Sequence, residues 1–187
     1  MTDILLRTER LILRQFTVDD VENLVDLDGD PEVMRFVTGG RTTTRAEIAD
    51  DVLPRFLAYY ERSDGYGFWA AMHHAGGAFL GWFHLRPGPG APRDEPELGY
   101  RLRRSAWGRG YATEGSLALI ERAFVELGAT RVIASTLAVN HASRRVLEKC
   151  GLHLVGSSQG EWRDGIAGGG HGVVQYALAR VQWQAAQ

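Results

Sequence analysis

Leu102-Arg103-Arg104-Ser105-Ala106-Trp107-Gly108-Arg109-Gly110-Tyr111-Ala112-Thr113-Glu114 is the stretch on which the reading of this chain turns. An apolar-alternating run is followed by two glycines one residue apart, then by an amphipathic segment reaching about Leu127. Gly108 and Gly110 let the main chain take positive φ and approach a ligand closely. The helix predicted to follow offers unpaired first-turn N–H groups and the positive end of its dipole. Together they make an anion cradle, with phosphate as the natural guest. Two familiar phosphate loops do not fit. The P-loop needs four residues between its glycines and a Gly-Lys-Ser/Thr ending, and the dinucleotide fingerprint needs a third glycine where Thr113 stands.

Downstream, Tyr111 to Leu127 reads as a helix with Leu117, Ile120, Phe124 and Leu127 on one face and Ala112, Leu119 and Ala123 beside them. Gly128 is its expected left-handed stop. Arg131 to Val139 is a short buried strand rich in β-branched residues. A second chemical stretch follows, Asn140-His141-Ala142-Ser143-Arg144-Arg145-Val146-Leu147-Glu148-Lys149-Cys150-Gly151-Leu152. Asn140 is a good helix cap, Gly151 a good stop, and Val146, Leu147 and Cys150 mark the inward face. Ser143 shares that stripe, so its hydroxyl is expected to face inward. The plainer alternatives are a cap for Asn140 and a serine bonded back to its own turn. Beyond lie a strand to about Ser158, a glycine-rich loop through Gly168-Gly169-Gly170, and a final strand Val173 to Ala179.

Upstream, Glu97 to Leu102 is the strand that enters the glycine turn. Pro87 to Pro96 is a loop long enough to lie over a neighbouring site. Gly67 to Arg86 reads as two strands joined by a hairpin at His74-Ala75-Gly76-Gly77. Ile4 to Phe16 reads as a strand with an irregular middle, and Thr17 with Asp19 and Asp20 starts a helix that Gly29-Asp30-Pro31 ends. A short segment Pro31 to Phe36 follows. Thr43 or Thr44 caps a longer helix that Pro54 must kink or split. Strand, turn, helix and strand in the second half have βαβ spacing, whereas the first two thirds read as an antiparallel meander.

With 187 residues and 44% hydrophobic content, one domain spanning 1–187 is expected. The 21 basic and 23 acidic residues leave a formal charge of -2, so no global field draws the protein to nucleic acid or an anionic membrane. The single Cys150 excludes a disulfide framework and a cysteine-pair zinc site. His73 and His74 fall on opposite faces of a strand, no metal-ligand spacing accompanies them, and no metal is expected. With neither a signal-like segment nor a long apolar run, a cytoplasmic location is expected.

The string Trp107-Gly108-Arg109-Gly110-Tyr111-Ala112 resembles the Gln/Arg-x-x-Gly-x-Gly/Ala phosphate loop of the GNAT superfamily of acyl-CoA-dependent N-acetyltransferases, with Trp107 in the Gln/Arg place. Trp-Gly-Arg-Gly-Tyr-Ala-Thr-Glu-Gly, the opening Thr8-Glu9-Arg10-Leu11-Ile12-Leu13-Arg14, and Asn140-x-x-Ser143 followed by Leu-Glu-Lys-x-Gly-Leu are similar to the RimJ/RimL-like branch. The resemblance implies an α/β GNAT fold: a mixed, largely antiparallel sheet of six to seven strands flanked by helices, strands splayed at the acyl-CoA site, and an acetyl-CoA-binding core at about 97–152. It implies acetyl-CoA as cosubstrate, held by Leu102, Arg103, Arg104, Gly108, Arg109, Gly110, Tyr111, Ala112 and Thr113, with Asn140 on the pantetheine arm. Ser143 then protonates the departing thiolate. The implied acceptor is an amine, either a ribosomal-protein N-terminus or a small molecule. The family's habit is compatible with a homodimer.

Moving an acetyl group from a thioester to an amine requires a base for the ammonium proton, a donor to the carbonyl oxygen, and a proton source for sulfur. A backbone N–H near Leu102 is the expected carbonyl donor. Glu97, on the strand entering the turn, is the first candidate base, since burial raises a carboxyl pKa. His84 is the second. Cys150 suits packing better than nucleophilic attack, because the C-terminal end of a helix raises a thiol pKa. Two other functions compete: a CoA-binding module without catalysis, and a serine hydrolase. The latter would use Ser158 in Gly156-Ser157-Ser158-Gln159-Gly160, but an elbow of that kind runs straight into a helix, which Glu161 to Gly165 cannot supply.

Overall fold

The computed structural model describes residues 3–62, 64–158 and 169–186. Eight strands, β1 (Ile4–Arg7), β2 (Leu11–Arg14), β3 (Gly67–His73), β4 (Phe79–Pro87), β5 (Pro96–Leu102), β6 (Arg131–Leu137), β7 (His153–Ser158) and β8 (Val173–Ala179), form one sheet in the order β1-β2-β3-β4-β5-β6-β8-β7. Among the described residues only β5 and β6 are parallel, so the mixed, largely antiparallel architecture is as expected. The count exceeds six to seven because Ile4 to Phe16 is a hairpin and not one broken strand. Thr8 closes its turn: its N–H bonds the Leu11 carbonyl at 2.9 Å, and its Oγ1 accepts from Leu11 N–H at 2.9 Å.

Helices cover both faces. On one lie α1 (Val21–Asp28), α2 (Pro31–Thr38), α3 (Arg45–Glu47) and α4 (Leu53–Leu57). Leu24, Leu27, Ile48, Leu53 and Phe56 pack there on Phe68, Ala70, Phe79 and Trp82 of the sheet. The Pro31 to Phe36 segment is helical because Gly29-Asp30-Pro31 both stops and starts a helix. Asp30 accepts from Glu32 N–H as the cap, Pro31 occupies the first turn, and Gly39 ends α2 at φ 74°. Thr44 is the cap of α3. Between α3 and α4, Ile48–Val52 widens into a π turn in which Leu53 N–H reaches the Ile48 carbonyl, the local adjustment by which the helix passes Pro54.

On the other face lie α5 (Tyr111–Val125), α6 (His141–Lys149) and α7 (Arg180–Ala185). Leu119, Ile120, Ala123 and Phe124 of α5 and Leu147 of α6 join Phe83, Leu85, Leu98 and Tyr176 in the larger core. Leu117, expected on the inward face, is 46% exposed. Ser116 and Gly115 are buried in its stead: Gly115 packs against Phe83, rotating the buried stripe by about one residue. Gly128 ends the helix region at φ 71°. The helix α7 was not expected after β8. It docks through Trp183 on Phe124, ring centres 5.3 Å apart.

The Pro87 to Pro96 loop sits at the opposite end of β5 from the glycine turn, tied down by Asp94 to Thr130 and Arg93 to Asp64. At about 3.3 Å per residue the seven-residue strand holds it roughly 20 Å from Leu102, so it does not lie over that end. Most of the expected glycine-rich loop, like the residues following Ser158, lies outside the described residues. Among the described residues no helix is long and apolar enough to cross a membrane.

Candidate active site

The head of α5 follows a short helical turn, Arg104–Ala106. Gly108 at φ 71° and Gly110 at φ 83° both take the left-handed conformation that glycine alone adopts freely. The first backbone bond into α5 is Glu114 N–H to the Gly110 carbonyl, 3.0 Å. Between Gly108 and Thr113 no backbone N–H finds an acceptor among the described residues. A run of free amides at the positive end of a 15-residue helix is a site for an anion.

From that turn a gap runs back along β5. The parallel ladder to β6 holds at Glu97 opposite Ile133 and goes no further. Arg103 N–H donates to Leu80 O at 2.8 Å, so in the alternating antiparallel ladder with β4 the amides of Tyr100 and Leu102 point the other way, toward the parted β6. Trp107, 47% exposed, donates from Nε1 to the Leu102 carbonyl at 2.8 Å. The indole thus serves as a hydrogen-bond donor in the Gln/Arg place and leaves the Leu102 N–H open to the gap.

Helix α6 closes the gap from the β6 side. Asn140 is its cap, accepting from Ser143 N–H at 3.2 Å. Ser143 faces inward, and its Oγ lies 3.2 Å from the Tyr100 hydroxyl. Tyr100 escaped the sequence reading, although alternation along β5 put it on the face of Leu98 and Leu102. Burial pushes its pKa up to about 12 against the opposing pull of the Ser143 hydrogen bond. It therefore stays protonated and able to donate.

Glu97 stands at the closed end of the gap with 28% of its side chain exposed. Burial raises its carboxyl above the ordinary range, only partly countered by Arg86, whose Nη2 is 3.9 Å away. His84 packs over Gly99 and against Trp82 and Phe68. Both its ring nitrogens are sealed from solvent without a hydrogen-bond partner among the described residues, and burial, reinforced by Arg86 and Arg101, lowers its pKa to about 3. Cys150 is buried at the end of α6 with its pKa pushed up to about 12 by burial, as a packing residue requires. Ser158 ends β7 on the surface.

The arginines divide. The Arg103 guanidinium pairs with Asp26 at 3.3 Å and that of Arg104 with Asp30 at 3.2 Å; both are drawn to the N-terminal helices instead of standing free for phosphate. Beside them a cleft of about 420 Å³, lined by Asp26, Leu27, Asp30, Val33 and Ser105, opens next to the end of β5. Arg109 is exposed on the turn itself. Among the described residues no group of His, Cys, Asp and Glu is placed to hold a metal ion.

An amide-lined anion cradle feeding a gap between two parted parallel strands is the arrangement that suits a group-transfer enzyme whose donor is carried on a phosphorylated handle. Residues 10–153 match the acetyltransferase (GNAT) domain model, and the chain belongs to that family of acetyl-CoA-dependent N-acetyltransferases. It is 35% identical over 184 residues to an FsC-acetyl coenzyme A-N(2)-transacetylase of Aspergillus fumigatus, covering 95% of this chain and 77% of that protein. An acetyltransferase structure from Bacillus anthracis superposes with a TM-score of 0.77 at 21% identity, covering 97% of this chain and 99% of that one. A RimL ribosomal alpha-N-protein acetyltransferase in complex with coenzyme A gives 0.78 at 20% identity, covering 95% and 98%. The likeness to the RimL type is therefore one of fold.

Proposed function

We propose that the protein moves the acetyl group of acetyl-CoA directly to a primary amine. The observation that carries this reading is the continuity of free main-chain donors, from the amides at Gly108 to Thr113 into those of Leu102 and Tyr100 beside β6. The first set suits a pyrophosphate and the second a pantetheine arm and its thioester carbonyl; Asn140 contributes at the mouth of α6. Acetyl-CoA supplies the activated acyl group.

This chain's residues do the rest. Glu97, with its raised pKa, takes the proton the acceptor ammonium must lose, through a chain of waters, since three residues of β5, about 10 Å, separate it from Tyr100. We assign this role to Glu97 in preference to His84, whose low proton affinity makes it a poor base at neutral pH. The Leu102 or Tyr100 N–H stabilises charge growing on the carbonyl oxygen. As the new C–N bond forms and the C–S bond breaks, Ser143, hydrogen-bonded to the Tyr100 hydroxyl, gives sulfur its proton and is reprotonated by the second proton that the new amide nitrogen sheds.

The acceptor enters over the cleft at Asp26 and Asp30, whose volume suits a small-molecule amine or a peptide end. The name of the Aspergillus relative, a transfer to N(2), supports an amine nitrogen as acceptor. Incubation with acetyl-CoA and either ribosomal proteins or a panel of small amines, followed by mass spectrometry, tests the reading. A mass increase on one amine with stoichiometric thiol release is expected. Thiol release with no acceptor in either set would refute it.

A further inference from the structure

We infer that Arg10, paired with Glu114, is a positioning residue that sets the phosphate-facing peptide of the glycine turn; the inference rests on the anion-cradle reading above. Arg10 lies in the β1–β2 turn, about a hundred residues before the cradle, yet its guanidinium is spent almost wholly there. Nε and Nη2 bond Glu114 Oε2 at 2.7 and 2.6 Å, and Nη1 donates to the Arg109 carbonyl at 2.8 Å. The Arg10 N–H and the Thr8 hydroxyl hold the other carboxylate oxygen at 2.8 and 2.5 Å. The guanidinium also lies over the Tyr111 ring, 4.7 Å from its centre.

Two consequences follow. A trans peptide points its C=O and N–H in opposite directions, so drawing the Arg109 carbonyl toward Arg10 turns the Gly110 N–H away from it, to the open side. Arg10 closes the near side: a Cβ on Gly110 would come within 3.2 Å of its Nη2. The second consequence is electrostatic. Glu114 is in the first turn of α5, where the dipole favours an anion, and unpaired it would compete with phosphate for that end. The forked ion pair neutralises it.

Calorimetry with coenzyme A, and steady-state kinetics with acetyl-CoA and the acceptor, test the inference. Arg10→Ala is expected to weaken coenzyme A binding about tenfold, or about 1.4 kcal/mol, and to raise KM for acetyl-CoA equally while kcat falls less than threefold. Adding Glu114→Gln to Arg10→Ala removes the stranded carboxylate and is expected to recover about threefold in affinity. Arg10→Lys, which keeps the charge and loses the fork, serves if the alanine variant does not fold; about a threefold loss is expected. Wild-type affinity in Arg10→Ala, or in Arg10→Lys where only that folds, overturns the inference. So does an equal fall in kcat and affinity with no recovery on adding Glu114→Gln, the signature of a structural pair. Failure of the unaltered protein to bind coenzyme A would instead overturn the cradle itself.

Discussion

Gly110 carries the demand for a missing side chain at the residue scale, because at φ 83° it turns the chain into α5 with its amide free. Valine there is strained in backbone and meets the Arg10 guanidinium. Gly110→Val is expected to abolish measurable coenzyme A binding in calorimetry while the circular dichroism spectrum stays close to that of the parent. Ser143 and Tyr100 form one hydroxyl pair, so they should not act additively. Ser143→Ala is expected to lower kcat about a hundredfold with less than a threefold change in coenzyme A affinity, within the usual range for a general acid. Tyr100→Phe should lower kcat less, and little further in the Ser143→Ala background. An equal loss in binding and turnover would mark Ser143 as structural.

At the scale of elements, α5 is held to the sheet by close approach as well as by apolar area. A Cβ on Gly115 would stand 2.4 Å from Cζ of the fully buried Phe83. Helix propensity alone favours alanine over glycine by about 1 kcal/mol, whereas overpacking costs about 1–3 kcal/mol. The contact should win: Gly115→Ala is expected to lower stability by about 1–2 kcal/mol in urea denaturation, and a rise in stability would show that α5 is free to slide. Sequence periodicity located this helix within two residues at its far end but misjudged its inward face at Leu117. Periodicity counts apolar residues, and it cannot see that a glycine and a serine are buried because an aromatic ring from β4 fills the space.

For the whole molecule, the carboxylate proposed as the base is a cost to folding. Glu97 has a raised folded pKa, so the native state holds its proton more tightly than the unfolded chain does. A carboxyl shifted in that direction stabilises the fold as pH falls below its folded pKa and loses that contribution as pH rises through it. Glu97→Gln, which fixes the neutral state, is expected to raise Tm at pH 8 and to lose the advantage toward pH 4, while the acidic limb of the kcat/KM profile disappears with most of the activity. Thermal melts across pH and a pH–rate profile check both signs; a variant less stable at pH 8 would contradict the assigned shift.

Much of this protein is legible in the chain alone: the strands from Gly67 to Leu102, the glycine turn, α5, β6 and the capped α6 with Ser143 inward. Each is announced by local chemistry acting over a few residues, namely alternation, positive-φ glycine, or a cap and stop at helical spacing. What only the tertiary structure decided is what depends on distant partners. Tyr100 meets Ser143 across 43 positions, Arg103 and Arg104 turn to aspartates of the N-terminal helices, His84 loses its proton affinity under the layers packed on it, and Arg10 reaches Glu114 from the first hairpin. Side-chain direction and burial are set by which elements the sheet order brings together, and no spacing along the sequence encodes that order.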